Sequence, residues 1–180
     1  MERRLTIEDY LGGEETNRPQ ELTYGILREP PAPGYDHQVI VGRLYVALDA
    51  HVRAEKLGRV ILSPIDVILD PVQALVVQPD LAFVSAPRMN ICSDRIWGAP
   101  DLAIEVLSTF NRRHDRTVKV GWYREYGVRE CWIVDPVART IEVIDAGSAT
   151  SWPRSCAGEV LVRSAVLPLL RLRAGSAFTD

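Results

Sequence analysis

The chain has 180 residues, 47% of them hydrophobic and 25% charged, with a formal net charge of −3. That composition suits a globular protein with a sizeable core of its own. It excludes a general electrostatic attraction to nucleic acid or anionic membrane, so any such contact needs a local basic patch. No stretch approaches the ~20 apolar residues needed to cross a bilayer, and the opening MERRLTIEDYLGGEE lacks the apolar segment of a signal peptide. The three cysteines, Cys92, Cys131 and Cys156, have no CxxC spacing and fit a reduced cytoplasm better than a disulfide framework.

In chain order, TIEDYL predicts one or two helical turns capped by Thr6, broken by the turn formers of GGEETNRPQ. ELTYGILREP predicts a short hairpin around Gly25. From Tyr35 the apolar residues Val39, Val41, Leu44, Val46, Leu48 and Val52 recur at helical spacing, with Asp36 as expected N-cap and Gly58 as stop. The period then shifts towards two. RVILSPIDVIL reads as a strand interrupted at Pro64, VVQPDLAFVS as a second strand, APRMNICSDRIWGAP as a loop and DLAIEVLS as a third strand. NRRHDRTVKVGWYREYG predicts a helix from an Asn111 cap to Gly127, and RECWIVDP and ARTIEVIDAG predict two strands joined by the tight turn DPVA. A last strand is expected near Glu159–Arg163. The order helix, three strands, helix, two strands describes a mixed α/β fold. Asp101 to Val134 should form a strand–helix–strand unit with parallel strands. The expected organisation is one domain over 1–180, with a helix turn and hairpin in 1–35, a core in 36–145 and a C-terminal extension in 146–180.

Two acids sit in dry surroundings. In DLAIEVLS, strand alternation places Leu102, Ile104 and Val106 on one face and Glu105 with Ala103 and Leu107 on the other, so Glu105 lacks an obvious route to water. Asp80 opens the preceding apolar strand. If those strands are neighbours, both carboxylates converge, and a buried pair of acids needs a cation. Mg²⁺ takes oxygen ligands, commonly one or two protein carboxylates plus waters. Asp80, Glu105 and a carbonyl near Val106 are therefore the candidate metal ligands, with room left for water and a phosphate oxygen. Lys119 is the candidate to orient or help deprotonate that water. Arg112, Arg113 and Arg116 head a cationic run on an otherwise acidic chain, a pattern suited to backbone phosphates.

The segments QPDLAFV, PDLAIEVLS, HDRTVK, WYREYGVRECWIVDP and ARTIEVI resemble the Uma-two family of putative restriction endonucleases, within the PD-(D/E)XK nuclease superfamily. The resemblance runs from about Glu21 to about Ile144. It implies a restriction-endonuclease-like fold, a mixed central β-sheet flanked by helices, and a Mg²⁺ (or Mn²⁺)-dependent endonuclease acting on nucleic acid, with DNA as the family expectation. In such proteins the PD acid corresponds to Asp80 and the acid of the (D/E)XK strand to Glu105. The usual lysine position is Leu107 here, and the lysine on the following helix matches Lys119. An N-terminal glutamate matches Glu21, since the common DGE of the hairpin is Tyr24-Gly25-Ile26. A homodimer in the cytoplasm, without membrane contact, is expected by analogy.

Plainer readings stand beside these. Asp80 also suits a turn acid after Pro79, and Lys119 a surface lysine paired i,i+4 with Asp115. Asp101 reads as a turn or cap residue, His37 and His51 as solvated or capping side chains, and His114 as part of the basic surface. Trp122, Tyr126, Trp132 and Cys131 read as core. The alternative to an enzyme is a non-catalytic nucleic-acid- or protein-binding module on the same fold. A carboxylate-pair glycosidase ranks third, because it leaves the basic run without a role.

Overall fold

The computed structural model describes residues 4–14, 16, 18–108, 114–148 and 153–179. Thr6 caps α1 (Ile7–Leu11): its hydroxyl accepts from the Asp9 N–H, and the Asp9 carboxylate accepts from the Thr6 N–H. The hairpin forms between β1 (Glu21–Thr23) and β2 (Ile26–Arg28). Its two turn residues, Tyr24 and Gly25, have φ of 49° and 84°, the left-handed pair that a tight type I′ turn requires.

The long helix α2 spans Tyr35–Ala54. It starts at Gly34 without a side-chain cap, so Asp36 lies inside the first turn rather than at the cap. There its charge faces the positive end of the helix dipole. The buried face is Ile40, Val41, Leu44, Leu48 and Val52. Val46, expected inside, is 67% exposed, and Val39 is only partly covered. Gly58 does not stop the helix but opens β3 (Gly58–Leu62), where an added Cβ would lie 2.1 Å from the Val84 carbonyl oxygen.

The apolar run around Pro64 divides into β3 and β4 (Val67–Asp70), and the run around Pro79 into β5 (Leu75–Val77) and β6 (Leu81–Ser85). The segment expected to be a loop contains a 3-10 helix, Ala86–Ile91, and the short β7 (Ile96–Trp97). After β8 (Leu102–Val106), the described chain resumes as a π-helical turn, His114–Lys119, continuing into α3 (Val120–Glu125). Asn111, the expected cap, lies outside the described residues. Gly127 follows with φ 89°, as a C-terminal stop should. β9 (Glu130–Asp135) and β10 (Thr140–Asp145) follow as expected. The final strand, β11 (Arg154–Ala157), comes before the expected position, where Leu161 makes only an isolated bridge to Arg173.

These strands form the expected mixed α/β fold, its β structure arranged as two mixed sheets flanked by helices. The orders are β2-β1-β5-β4-β7 and β11-β10-β9-β8-β6-β3. β8 and β9 run parallel, as the strand–helix–strand pattern predicts. Leu102, Ile104 and Val106 pack with the buried face of α2. Ala103 and Leu107 join a second core with Val67, Leu75 and Val77 of the other sheet and Val120, Trp122 and Tyr123 of α3. β8 is therefore covered on both faces, and Glu105 points into the layer between the sheets.

Asp101, read from the sequence as a turn or cap residue, is fully buried at the entrance to β8. Its carboxylate accepts the Ser85 N–H at 2.8 Å and lies 3.2 Å from Arg88 and 3.3 Å from Arg129. Burial by itself would raise its pKa, but the bonds from Ser85 and the charge of Arg88 bring it below the usual carboxylate value. Asp101→Ala removes the shared acceptor of all three donors. It should cost about 3 kcal/mol in urea unfolding; a loss under about 1 kcal/mol would show that these bonds do not hold the β6–β8 junction.

Candidate active site

The site forms where the chain changes sheets. β5 belongs to one sheet and β6 to the other, so Gln78, Pro79 and Asp80 make the crossing. β3 and β4 cross the same gap through Ser63 and Pro64, and the Ser63 N–H donates to the Asp80 carbonyl at 3.1 Å. β6 pairs antiparallel with β8, Leu81 opposite Ile104, which brings Asp80 beside Glu105 and Val106. The Val106 N–H donates to Asp80 Oδ2 at 2.7 Å. On the other side, β1 pairs with β5 through Leu22 and Val76, and Glu21 Oε1 accepts the Gln78 N–H at 3.1 Å.

Lys119 reaches into this junction from the π-helical turn and is 3% exposed. Its Nζ lies 2.7 Å from Glu21 Oε1, 2.9 Å from Glu105 Oε1 and 3.8 Å from Asp115 Oδ1. The surface pair Lys119–Asp115 is therefore not what forms: both residues are buried, and the ammonium is held chiefly by acids from two strands. Burial alone would lower its pKa, but Glu105, Glu21 and Asp115 together raise it well above the ordinary lysine value. Lys119 stays an ammonium. Burial also pushes Glu105 well above the usual carboxylate range, with Lys119 opposing it. Glu21 shows the opposite balance: Lys119 overcomes its burial and keeps its pKa low.

Three further residues belong to the cluster. His37, on the first turn of α2, places Nε2 3.2 Å from Asp80 Oδ2. Burial would lower its pKa, but Asp80 and the Val106 backbone raise it. Its Nδ1 is buried without a hydrogen-bond partner. Tyr123 is fully buried and donates its hydroxyl to Glu105 Oε1. Asp115 lines the same pocket, with its pKa raised to about 6 by burial against the pull of Lys119. Tyr123 lies four residues beyond Lys119, so helical spacing from Lys119 is the signal that points to it. His37 carries only its place near a helix start.

The basic run divides differently from expectation. Arg112 and Arg113 lie outside the described residues. Arg116 is bonded to Glu142 of β10 and is not among the side chains lining the pocket. His114 is half-buried rather than part of an open basic surface, with Nδ1 2.7 Å from Arg28 and its ring edge-on to Trp122. Burial and Arg28 push its pKa down to about 4, so it is neutral near pH 7.

The pocket has a volume of about 520 Å³, and Glu21, His37, Asp80, Glu105, Asp115 and Lys119 are among the residues around it. Four carboxylates thus face one fixed ammonium and one histidine, a set short of positive charge. Among the described residues no three His, Cys, Asp or Glu side chains are gathered as a ready-made metal cage. The donor set fits a hard divalent ion that uses one or two carboxylates and completes its shell with water.

A family model described as Uma2, putative restriction endonuclease, matches residues 6–175, and the chain belongs to that family. Among solved structures, a chain from Anabaena variabilis described as a putative nuclease superposes with a TM-score of 0.84 at 19% identity, covering 97% of each chain. At that identity the likeness speaks to the fold. No curated protein matches the chain. Among the described residues no helix is long and apolar enough to cross a membrane.

Removing the ammonium should expose the repulsion it offsets. Lys119→Met is expected to lower unfolding free energy near pH 7 by about 3 kcal/mol, and adding Glu21→Gln and Glu105→Gln should recover part of that loss. If the triple variant unfolds at the same denaturant concentration as the single one, Lys119 is not neutralising these acids.

Proposed function

We propose that this member of the Uma2 family is a divalent-metal-dependent endonuclease that hydrolyses phosphodiester bonds of nucleic acid, DNA foremost. The observation that supports the reading most is the excess of carboxylate over cation in one pocket, with Glu21, Asp80, Glu105 and Asp115 set against Lys119 and His37. Asp80 and Glu105 would hold Mg²⁺ or Mn²⁺ together with the Val106 backbone. Among the described residues the partners of Asp80 meet Oδ2 and those of Glu105 meet Oε1, which favours Oδ1 and Oε2 as the oxygens that would meet a cation. When bound, the ion lowers the pKa of a water and offsets charge on the phosphoryl oxygens.

The remaining residues prepare that site. The His37 and Val106 bonds fix the rotamer of Asp80, and Tyr123 and Lys119 fix that of Glu105. Glu21 anchors Lys119 from β1. Being held as an ammonium, Lys119 binds and orients rather than accepting a proton. Arg112 and Arg113 remain candidates for backbone phosphates. Arg116 would have to leave Glu142 to serve there. A cytoplasmic homodimer, which would present two sites to the two strands of a duplex, completes the reading.

Cleavage of plasmid and of single-stranded DNA and RNA, assayed with Mg²⁺ and with Mn²⁺, tests this directly. Asp80→Ala and Glu105→Ala should each reduce cleavage by at least about 100-fold, the order expected for a transition-state charge contact, and titration calorimetry with Mn²⁺ should lose its heat. Neither cleavage nor metal heat in the unaltered protein would leave the non-catalytic binding module as the better reading.

A further inference from the structure

The pocket presents a proton problem. A hydrolytic water must give up a proton as it attacks phosphorus, and Lys119, the residue expected to help take it, is held as an ammonium by its carboxylates. Glu105 and Glu21 are already drawn to that ammonium, and Asp80 is occupied by Val106 and His37. Asp115 is different. Among the described residues its nearest charged partner is Lys119 at 3.8 Å, too long for a hydrogen bond, yet its side chain borders the pocket.

At that separation one water lodged beside the pair can touch both groups. An ammonium has three N–H donors. Glu21 and Glu105 take two of those on Lys119, leaving the third for a water that can in turn donate to Asp115. Building on the nuclease reading, we propose that Asp115 is the proton acceptor for the hydrolytic water, and that Lys119 positions this water rather than deprotonating it. In the step, the water O–H bond breaks, its proton moves to Asp115, and the freed electron pair forms the new P–O bond. The P–O bond to the departing sugar oxygen breaks, and that oxygen takes a proton from solvent. Asp115 then returns its proton to solvent, so one water is consumed per bond cleaved.

The surroundings of Asp115 suit this task. Burial raises its proton affinity. Lys119 on its own helical turn and His37 from α2 lower it, while Glu21 from β1 and Asp80 from the sheet crossing raise it, and the balance is a pKa of about 6. Such a carboxylate is ionised near pH 7 yet basic enough to accept a proton in a transition state.

The test combines pH–rate profiles of DNA cleavage with Mn²⁺ and a carbon-detected NMR titration of metal-free protein. The unaltered enzyme should gain rate about tenfold per pH unit on its acid limb and level off once Asp115 is ionised, at a pH that the bound ion draws below the metal-free midpoint. Asp115→Asn should lose at least about 100-fold and the bend, and Asp115→Glu should keep the bend with a loss on the order of tenfold. The carboxyl signal assigned by its absence in Asp115→Asn should titrate near pH 6. An Asp115→Asn enzyme with the original bend and a rate within about threefold overturns the assignment while the nuclease reading stands. An inactive unaltered protein that binds no Mn²⁺ overturns both. If Asp115→Asn does not fold, Asp115→Glu and a complete side-chain carboxyl assignment decide, and a midpoint in the ordinary aspartate range of about 4 overturns the proposal.

Discussion

The ammonium of Lys119, buried between Glu21 and Glu105, is the contact on which the rest of the site depends. A lone charge in this layer would be costly, and so would either carboxylate without it. Each partner comes from a different part of the chain: Glu21 from the edge hairpin, Glu105 from a central strand of the second sheet, and Lys119 from the π-helical turn before α3. The pairing therefore forms only when both sheets and that turn have docked. A π-helical turn is an uncommon local geometry that recurs at functional sites. Here it carries both Asp115 and Lys119 into the buried layer.

Around that ion pair, the fold supplies acid in excess. The two crossings between sheets, at Ser63–Pro64 and at Gln78–Asp80, are tied by the bond from Ser63 to the Asp80 carbonyl, and they leave a pocket instead of continuous packing. Val106 continues the organisation, fixing Asp80 through its N–H while its side chain packs in the core below α2. The polar centre is thus held by strands whose other faces are apolar and rigidly packed, a suitable base for a site that needs fixed geometry.

The positive charges tell a complementary story. Counted along the chain, the segment after β8 looks like an open cationic face. In space, Lys119 is buried, His114 is neutral beside Arg28, and Arg116 is bonded to Glu142. Charge density in a sequence reports what is available; burial and pairing decide how much of it faces solvent. Asp101 shows the same principle in reverse. Beginning a strand after a proline, it resembles a turn acid, yet it collects Ser85, Arg88 and Arg129 in a fully buried junction.

Much of the architecture is written locally. The Thr6 capping box, the hairpin turn at Gly25, the long helix and most of the strands follow from capping chemistry, glycine's tolerance of positive φ and apolar period, whereas Tyr24 takes φ 49° against its own preference. Alternation along β8 already places Glu105 on a dry face, and together with Asp80 and Lys119 it marks where chemistry is to be sought. Other features are not local. One apolar run around Pro64 and another around Pro79 serve two sheets each, because strand pairing rather than period assigns a strand to its sheet. Val46 matches the helical pattern of its neighbours but faces outward, since the face a helix buries is set by what packs against it. His37 joins the site through long-range packing and Asp115 through the π-helical turn, whereas Tyr123 follows Lys119 by one turn along α3. Residue types and periods determined the elements and the principal acids; the tertiary structure decided which acids share a cation, because that depends on the crossing of two sheets and the burial it creates.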